Sequence, residues 1–252
     1  MKKILSLLTI FVIALGVANA TQSVTITVKA NQSVSFRINK VSGAASTFRF
    51  GSGNTARRFT AGTSYGITTE SNHYLVSGTM SGSNSLVLSI SADDLSYLEI
   101  VSGAESITQI NASAASSTLK TLIINGCKNI TTLNLGTESS LSDVDASNTS
   151  QSVVNLITAS NAPNVESFTA KGSSLTSFSY AGTNLQYLDV SDNSGLTSVD
   201  LSAFTMLDYF RCENTGITTL SLPESLTTLS AQSSNLATLT TSANLQVADV
   251  AS

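Results

Sequence analysis

The sequence contains no tryptophan, a single histidine, two cysteines and two prolines, and only 11% of its 252 residues are charged. An ordinary soluble domain carries roughly 25% charged residues. With so few charges, a sequence that is locally basic at Lys29, Arg37, Lys40, Arg49, Arg57 and Arg58 but acidic beyond them argues against nucleic acid as a partner, which would need a Lys/Arg patch. One histidine (His73) and two distant cysteines (Cys127 and Cys212) show none of the ligand spacings of a zinc site, so neither a metal nor another cofactor is expected. A Ser-His-Asp triad needs only one histidine, but Ser is so abundant that composition accounts for every candidate. No long segment has 3.6-residue periodicity, which leaves little room for helices. With two cysteines the fold does not depend on disulfides.

Ser, Thr, Asn and small apolar residues take the place of the charges. The chain opens with Met1-Lys2-Lys3, an apolar run from Ile4 to Val17, and Ala18-Asn19-Ala20. A charged start, an apolar middle and an Ala-x-Ala end have the form of a secretory signal peptide cleaved before Thr21. The run is short for a membrane span of about 20 residues, so no span is expected after cleavage. Losing Lys2 and Lys3 takes the formal charge from -4 to -6.

From Thr21 to Asp94 the sequence alternates apolar and polar residues in short runs: 23–29, 34–38, 47–50, 64–69, 73–78 and 85–90. Gly-rich turns at this spacing predict a small antiparallel β-sandwich, with Phe36, Phe48, Phe50 and Phe59 in its core. Gly51-Ser-Gly-Asn-Thr-Ala56 matches a dinucleotide fingerprint, but a phosphate site needs a helix to start there, and Arg57-Arg-Phe-Thr does not start one. A hairpin turn is the better reading. The segment can also cover the first turn of the repeats that follow.

From Leu95 to the end another pattern takes over. Apolar residues fall at positions 1, 4 and 6 of units beginning at Leu95, Leu119, Leu141, Val165, Leu185, Leu207, Leu226 and Leu245. A second series lies between them, beginning at Ile107, Ile130, Val153, Leu175, Leu196, Ile217 and Leu236. Each full turn takes about 19 to 24 residues, enough for two short strands and two bends with no helix between. This predicts an all-β solenoid over 95–252, with a parallel sheet on each of two sides and turns ~4.8 Å apart. Cys127 and Cys212 fall four turns apart, about 19 Å at that spacing. A disulfide needs Cα atoms within about 7 Å, so two buried free thiols are expected.

The unit Leu185-Gln-Tyr-Leu-Asp-Val-Ser-Asp-Asn193, followed by Leu196-Thr-Ser-Val-Asp-Leu201, resembles the short, helix-poor leucine-rich repeats of secreted bacterial surface proteins. A second copy is Leu119-Lys-Thr-Leu-Ile-Ile-Asn-Gly-Cys127. At position 9 Cys127 and Asn193 fit the pattern, while Thr149, Ser173, Thr215 and Ser234 depart from it. Phe50-Gly-Ser-Gly-Asn54 is similar to the Trp-Gly-Asp-Gly turn of such proteins but lacks its Trp and Asp. The resemblance implies a leucine-rich-repeat β-solenoid and a non-catalytic binding or adhesion role. It carries over no catalytic residues.

The outward positions 3 and 5 supply the candidate site. On the first series they gather Asp143, Asp145, Tyr187, Asp189, Tyr209 and Arg211, whereas the second series shows plain Ser, Thr and Asn. Aromatic residues and Arg contribute most per residue to interfaces, and the carboxylates add hydrogen bonds or steer a cationic partner. The same acids, together with Asp200 and Asp208, raise the alternative of a β-helical polysaccharide-degrading enzyme, since paired carboxylates perform glycoside chemistry. Short turns and the absence of long loops favour a solvated acidic face instead. A structural or ice-binding solenoid is a second alternative, though on the outward face of the repeats only Thr238-x-Thr240 approaches the Thr-x-Thr spacing it needs. The expected function is recognition of a protein or glycan at the cell surface, in the periplasm or outside the cell. The uncovered last strand predicts a homodimer through 236–250.

Overall fold

In the computed structural model, residues 22–29, 32–39, 47–50, 57–60, 67–79, 86–92, 95–136 and 139–250 are described. The signal segment and the Gly51–Ala56 turn lie outside these residues, as do the side chains of Phe48, Phe50 and Phe59. The chain is all-β, with a β-solenoid over 97–249. Among the described residues no helix is long and apolar enough to cross a membrane.

The N-terminal strands are β1 (Gln22–Val28), β2 (Ser33–Asn39), β3 (Thr47–Phe50), β4 (Arg57–Thr60), β5 (Ile67–Thr69), β6 (His73–Thr79) and β7 (Leu86–Ala92). They pair antiparallel, and their alternating sequences turn one face inward: Val24, Ile26 and Val28 on β1 and Val34, Phe36 and Ile38 on β2 are buried. β4 follows the Gly-rich segment as a strand, paired with β3 from Thr47↔Thr60 to Phe50↔Arg57. The helix that a dinucleotide site would need is replaced by that strand.

Turns begin at β8 (Tyr97–Ser102) and β9 (Ile107–Asn111). β8 is antiparallel to β2 and β9 is antiparallel to β1, so the edges of the first turn are covered on both sides. One side of the coil then runs through β10 (Thr121–Ile123), β12 (Asp143–Asp145), β13 (Ser167–Thr169), β14 (Tyr187–Asp189), β15 (Tyr209–Arg211), β17 (Thr228–Ser230) and β19 (Val247–Asp249). These strands are parallel and in register, and with β8, β2, β6 and β5 they form one 11-stranded sheet. Positions 1, 4 and 6 point inward: Leu185, Leu188 and Val190, for example, have no exposed surface. Each such side chain contributes about 1.5–3 kcal/mol through burial, which is what holds short strands with few charges together.

The bends have their own rule. Position 8 takes a left-handed backbone in successive turns, at Gly126, Asn148, Gly172, Asp192, Asn214 and Ser233 (φ between 52° and 76°). Gly avoids the Cβ penalty there, and Asn and Asp tolerate it better than other residues. At position 9, Thr149, Asn193 and Thr215 are buried and Ser234 is half-buried, and each of the four bonds the carbonyl of position 6. Thr149 donates to Ala146 O (2.6 Å), Asn193 to Val190 O (2.7 Å), Thr215 to Cys212 O (2.8 Å) and Ser234 to Ala231 O (2.7 Å). Hydroxyls that depart from the Asn pattern in sequence therefore do part of the work of Asn. Asn193 does more, since its oxygen also accepts from Leu175 N (2.9 Å) and its amide reaches Ala170 O (3.0 Å). Asn193→Ala would strand these buried groups and should cost about 2 kcal/mol, read as a lower midpoint in chemical denaturation.

The second side departs from the expectation of a continuous parallel sheet. β9 pairs with β11 (Thr132–Asn134), and β16 (Thr219–Ser221) with β18 (Thr238–Thr240), but the three intervening turns form no strand there. In the first of them α1 (Gln151–Val154) replaces a strand, capped by the Ser150 side chain. Val153 and Val154 are adjacent and both buried, with Ile157 buried four residues after Val153. A strand points neighbouring side chains to opposite faces, so only a helical turn can bury this set. In the next turn the Gln151 side-chain oxygen accepts from the backbone of Thr176 (2.8 Å) and Ser177 (3.1 Å), where a ladder would have bonded. Rings fill the interior at this level: Phe168 packs edge-on against Phe178 with centroids 5.4 Å apart, and Tyr180 and Phe204 adjoin.

Cys127 and Cys212 are free and buried, as expected. Burial pushes each thiol up to about 12, so both stay protonated and unreactive near neutral pH.

Candidate functional site

The parallel sheet puts position 3 of every turn in one outward row. From β8 onward it reads Tyr97, Thr121, Asp143, Ser167, Tyr187, Tyr209 and Thr228. The adjacent row, position 5, reads Glu99, Ile123, Asp145, Thr169, Asp189, Arg211 and Ser230. Neighbours in a row are one strand spacing apart, ~4.8 Å.

Four of the six expected residues come together. Tyr187 and Tyr209 are stacked, with centroids 5.4 Å apart and planes 27° apart. Both rings are half-buried. Burial raises the pKa of the Tyr187 hydroxyl, and nearby Asp189 adds to this. Arg211 lies beside Tyr187 and is bound by Glu213 (2.7 Å), with Asp189 further off at 3.9 Å. Glu213 is the main reason that Arg211 is held protonated beyond its ordinary range. The Ser230 hydroxyl (2.6 Å) and then Arg211 hold Glu213 below the usual carboxylate range.

Asp189 differs from expectation. Instead of a solvated outward acid, its side chain is only 5% exposed, and one oxygen accepts from Ser191 N (2.9 Å). It therefore braces the bend at Ser191 and adds a longer-range attraction to the Arg211 guanidinium. Asp145 accepts from Ser147 N (2.8 Å) in the same way, and Asp200 from Ser202 N (2.9 Å). Asp143 is exposed and accepts from the Ser142 hydroxyl (2.6 Å). Asp143 and Asp145 share β12, two strands from the tyrosine pair, and Asp208 accepts from the Thr227 hydroxyl. Among the described residues no group of three or more His, Cys, Asp or Glu is placed to hold a metal ion.

A second cluster on the same face was not anticipated. His73 and Tyr97 have ring centroids 4.3 Å apart. The Tyr97 hydroxyl donates to Glu99 (2.8 Å), and burial, then Glu99, pushes it up to about 12. Arg37 on β2 bridges Glu70 (2.8 Å) and Glu99 (3.1 Å). Tyr97 and Glu99 occupy positions 3 and 5 of the unit beginning at Leu95, so the repeat itself marks them. Arg37, Glu70 and His73 come from outside the repeats, and only strand pairing brings them in. Glu213, at position 7, was missed because it lies beyond the strand.

The fold thus defines a β-solenoid protein with a polar and aromatic outward face. Comparison with protein-family models, with curated proteins and with solved structures finds no match to this chain.

Proposed function

We propose that the protein is a non-catalytic recognition or adhesion module, exported to the cell surface or beyond, of the helix-poor leucine-rich-repeat type that its units resemble. The observation that carries this reading is the stacked Tyr187–Tyr209 pair with Arg211 held beside it on the outward sheet. Aromatic rings and a pre-positioned guanidinium are the groups that dominate recognition surfaces. The use of Asp189 to tie a bend, with its side chain nearly covered, supports binding over glycoside hydrolysis, which needs a pair of carboxylates directed at a substrate. A screen of mature protein against glycans and surface proteins, run beside a polysaccharide-degradation assay, tests the proposal. Degradation without turnover-independent binding would defeat it. Export predicts that the intact mass of secreted protein begins at Thr21, and a mass retaining 1–20 would count against cleavage.

We also propose self-association through 236–250. Val247 and Val250, at the end of the described residues, are 54% and 47% exposed. Exposed apolar side chains on a short strand invite burial against a second copy. Light scattering should show mass rising with concentration, and Val247→Lys should suppress the rise. A constant monomer mass would exclude it.

A further inference from the structure

We infer that the outward row from His73 to Tyr209 is a single trough for an extended, uncharged glycan lying across the strands, an inference that rests on the recognition role proposed above. Its two ends are aromatic pairs, His73–Tyr97 and Tyr187–Tyr209. Between Tyr97 and Tyr187 the register places Thr121, Asp143 and Ser167, all short side chains. The two tyrosines are therefore four strand spacings apart, about 19 Å, with a floor lower than either end. Asp145 and Thr169 stand beside that floor in the adjoining row.

The chemistry of the trough selects its occupant. Among the described residues, the two arginines on this face are already neutralised, Arg37 by Glu70 and Glu99 and Arg211 by Glu213 and Asp189. An anionic chain would therefore meet carboxylates with no available guanidinium. Asp143 and Asp145 each commit one oxygen within their own turn, to Ser142 and Ser147, leaving the other to accept from a ligand. Thr and Ser hydroxyls add donors and acceptors. A polyol supplies hydroxyls to such groups and apolar C–H faces to aromatic rings, and an uncharged one meets no repulsion from Glu99, Asp143 and Asp145 along the two rows. A pyranose chain also advances by about one strand spacing per sugar, so successive rings can follow successive strands.

The test uses full-length mature protein with neutral cello-, manno- and chito-oligosaccharides, measured by calorimetry. A hexaose long enough to span both ends should bind about a hundredfold more tightly than the corresponding biose, as linked contacts do. Tyr97→Ala and Tyr187→Ala should each reduce the hexaose to the level of the biose. Ser167→Arg, which fills the floor and removes no ring, should abolish the length advantage and leave biose binding intact. Melting curves of the three variants verify folding.

Equal binding of hexaose and biose overturns the trough, as does a Tyr97→Ala variant that binds the hexaose normally. Binding of hexalysine with no binding of any neutral glycan also overturns it, while the recognition role survives. If the double variant Tyr187→Ala/Tyr209→Ala retains every interaction found in the wider screen, the recognition role itself fails.

Discussion

Replacing Tyr187 and Tyr209 together by alanine should weaken binding of the partner by at least ~2 kcal/mol, a loss of about thirtyfold in affinity. The reason is geometric. The rings form one stacked platform, and Arg211 beside them is fixed by Glu213 and Asp189 before any ligand arrives. Little ordering entropy is left to be lost on binding, so removal of the rings is felt directly. The same variant should lose only about 1 kcal/mol of stability, the worth of an aromatic pair beyond its burial, because both rings lie outside the core. Affinity by titration and thermal melting on one set of samples separates the two effects. Intact affinity with a large fall in melting temperature would mean that the pair serves only to stiffen the sheet.

Phe168→Ala should give the opposite profile, with a loss of about 3–5 kcal/mol in stability. Phe168 is fully buried and touches the rings of Phe178 and Tyr180, which belong to the wall that forms no strand. No backbone ladder bridges that wall here, so ring packing holds the two sides together. A cavity there cannot be closed by neighbouring strands moving in. In a stacked coil each turn is stabilised by its neighbours, and the loss should first loosen the turns around 151–206. Hydrogen exchange should therefore show protection falling in these turns before the β8–β10 region. Uniform loss across the chain would show that the solenoid melts as one unit.

The repeat made much of the fold legible. The 1-4-6 spacing set which residues of β10, β12, β13, β14, β15 and β17 face inward, because a strand has a two-residue period and an aliphatic side chain has one favourable side. What it concealed was the second wall. Val153 was placed at the start of a strand unit because Val153 and Leu156 fit the spacing, yet Val153, Val154 and Ile157 fit a helical turn better. A short apolar set can satisfy both periods. The site was legible in the same partial way. Tyr187, Tyr209 and Arg211 stand in adjacent outward rows as the spacing required, and Asp189 does too, but its burial depends on tertiary packing.

By itself, then, the sequence determined that the chain is an all-β coil with short turns, two buried thiols and one outward face richer in rings and charge. These properties follow from local periodicity and composition, which act within a few residues. Tertiary structure alone decided that Gln151 bonds the backbone 25 residues later and that Arg37 and His73 join the Tyr97 row. It also decided that Glu213 rather than Asp189 is the closer partner of Arg211. Each of these is a contact between separate turns or strands. Its energy depends on the distance and angle that stacking imposes, and no spacing along the chain encodes that.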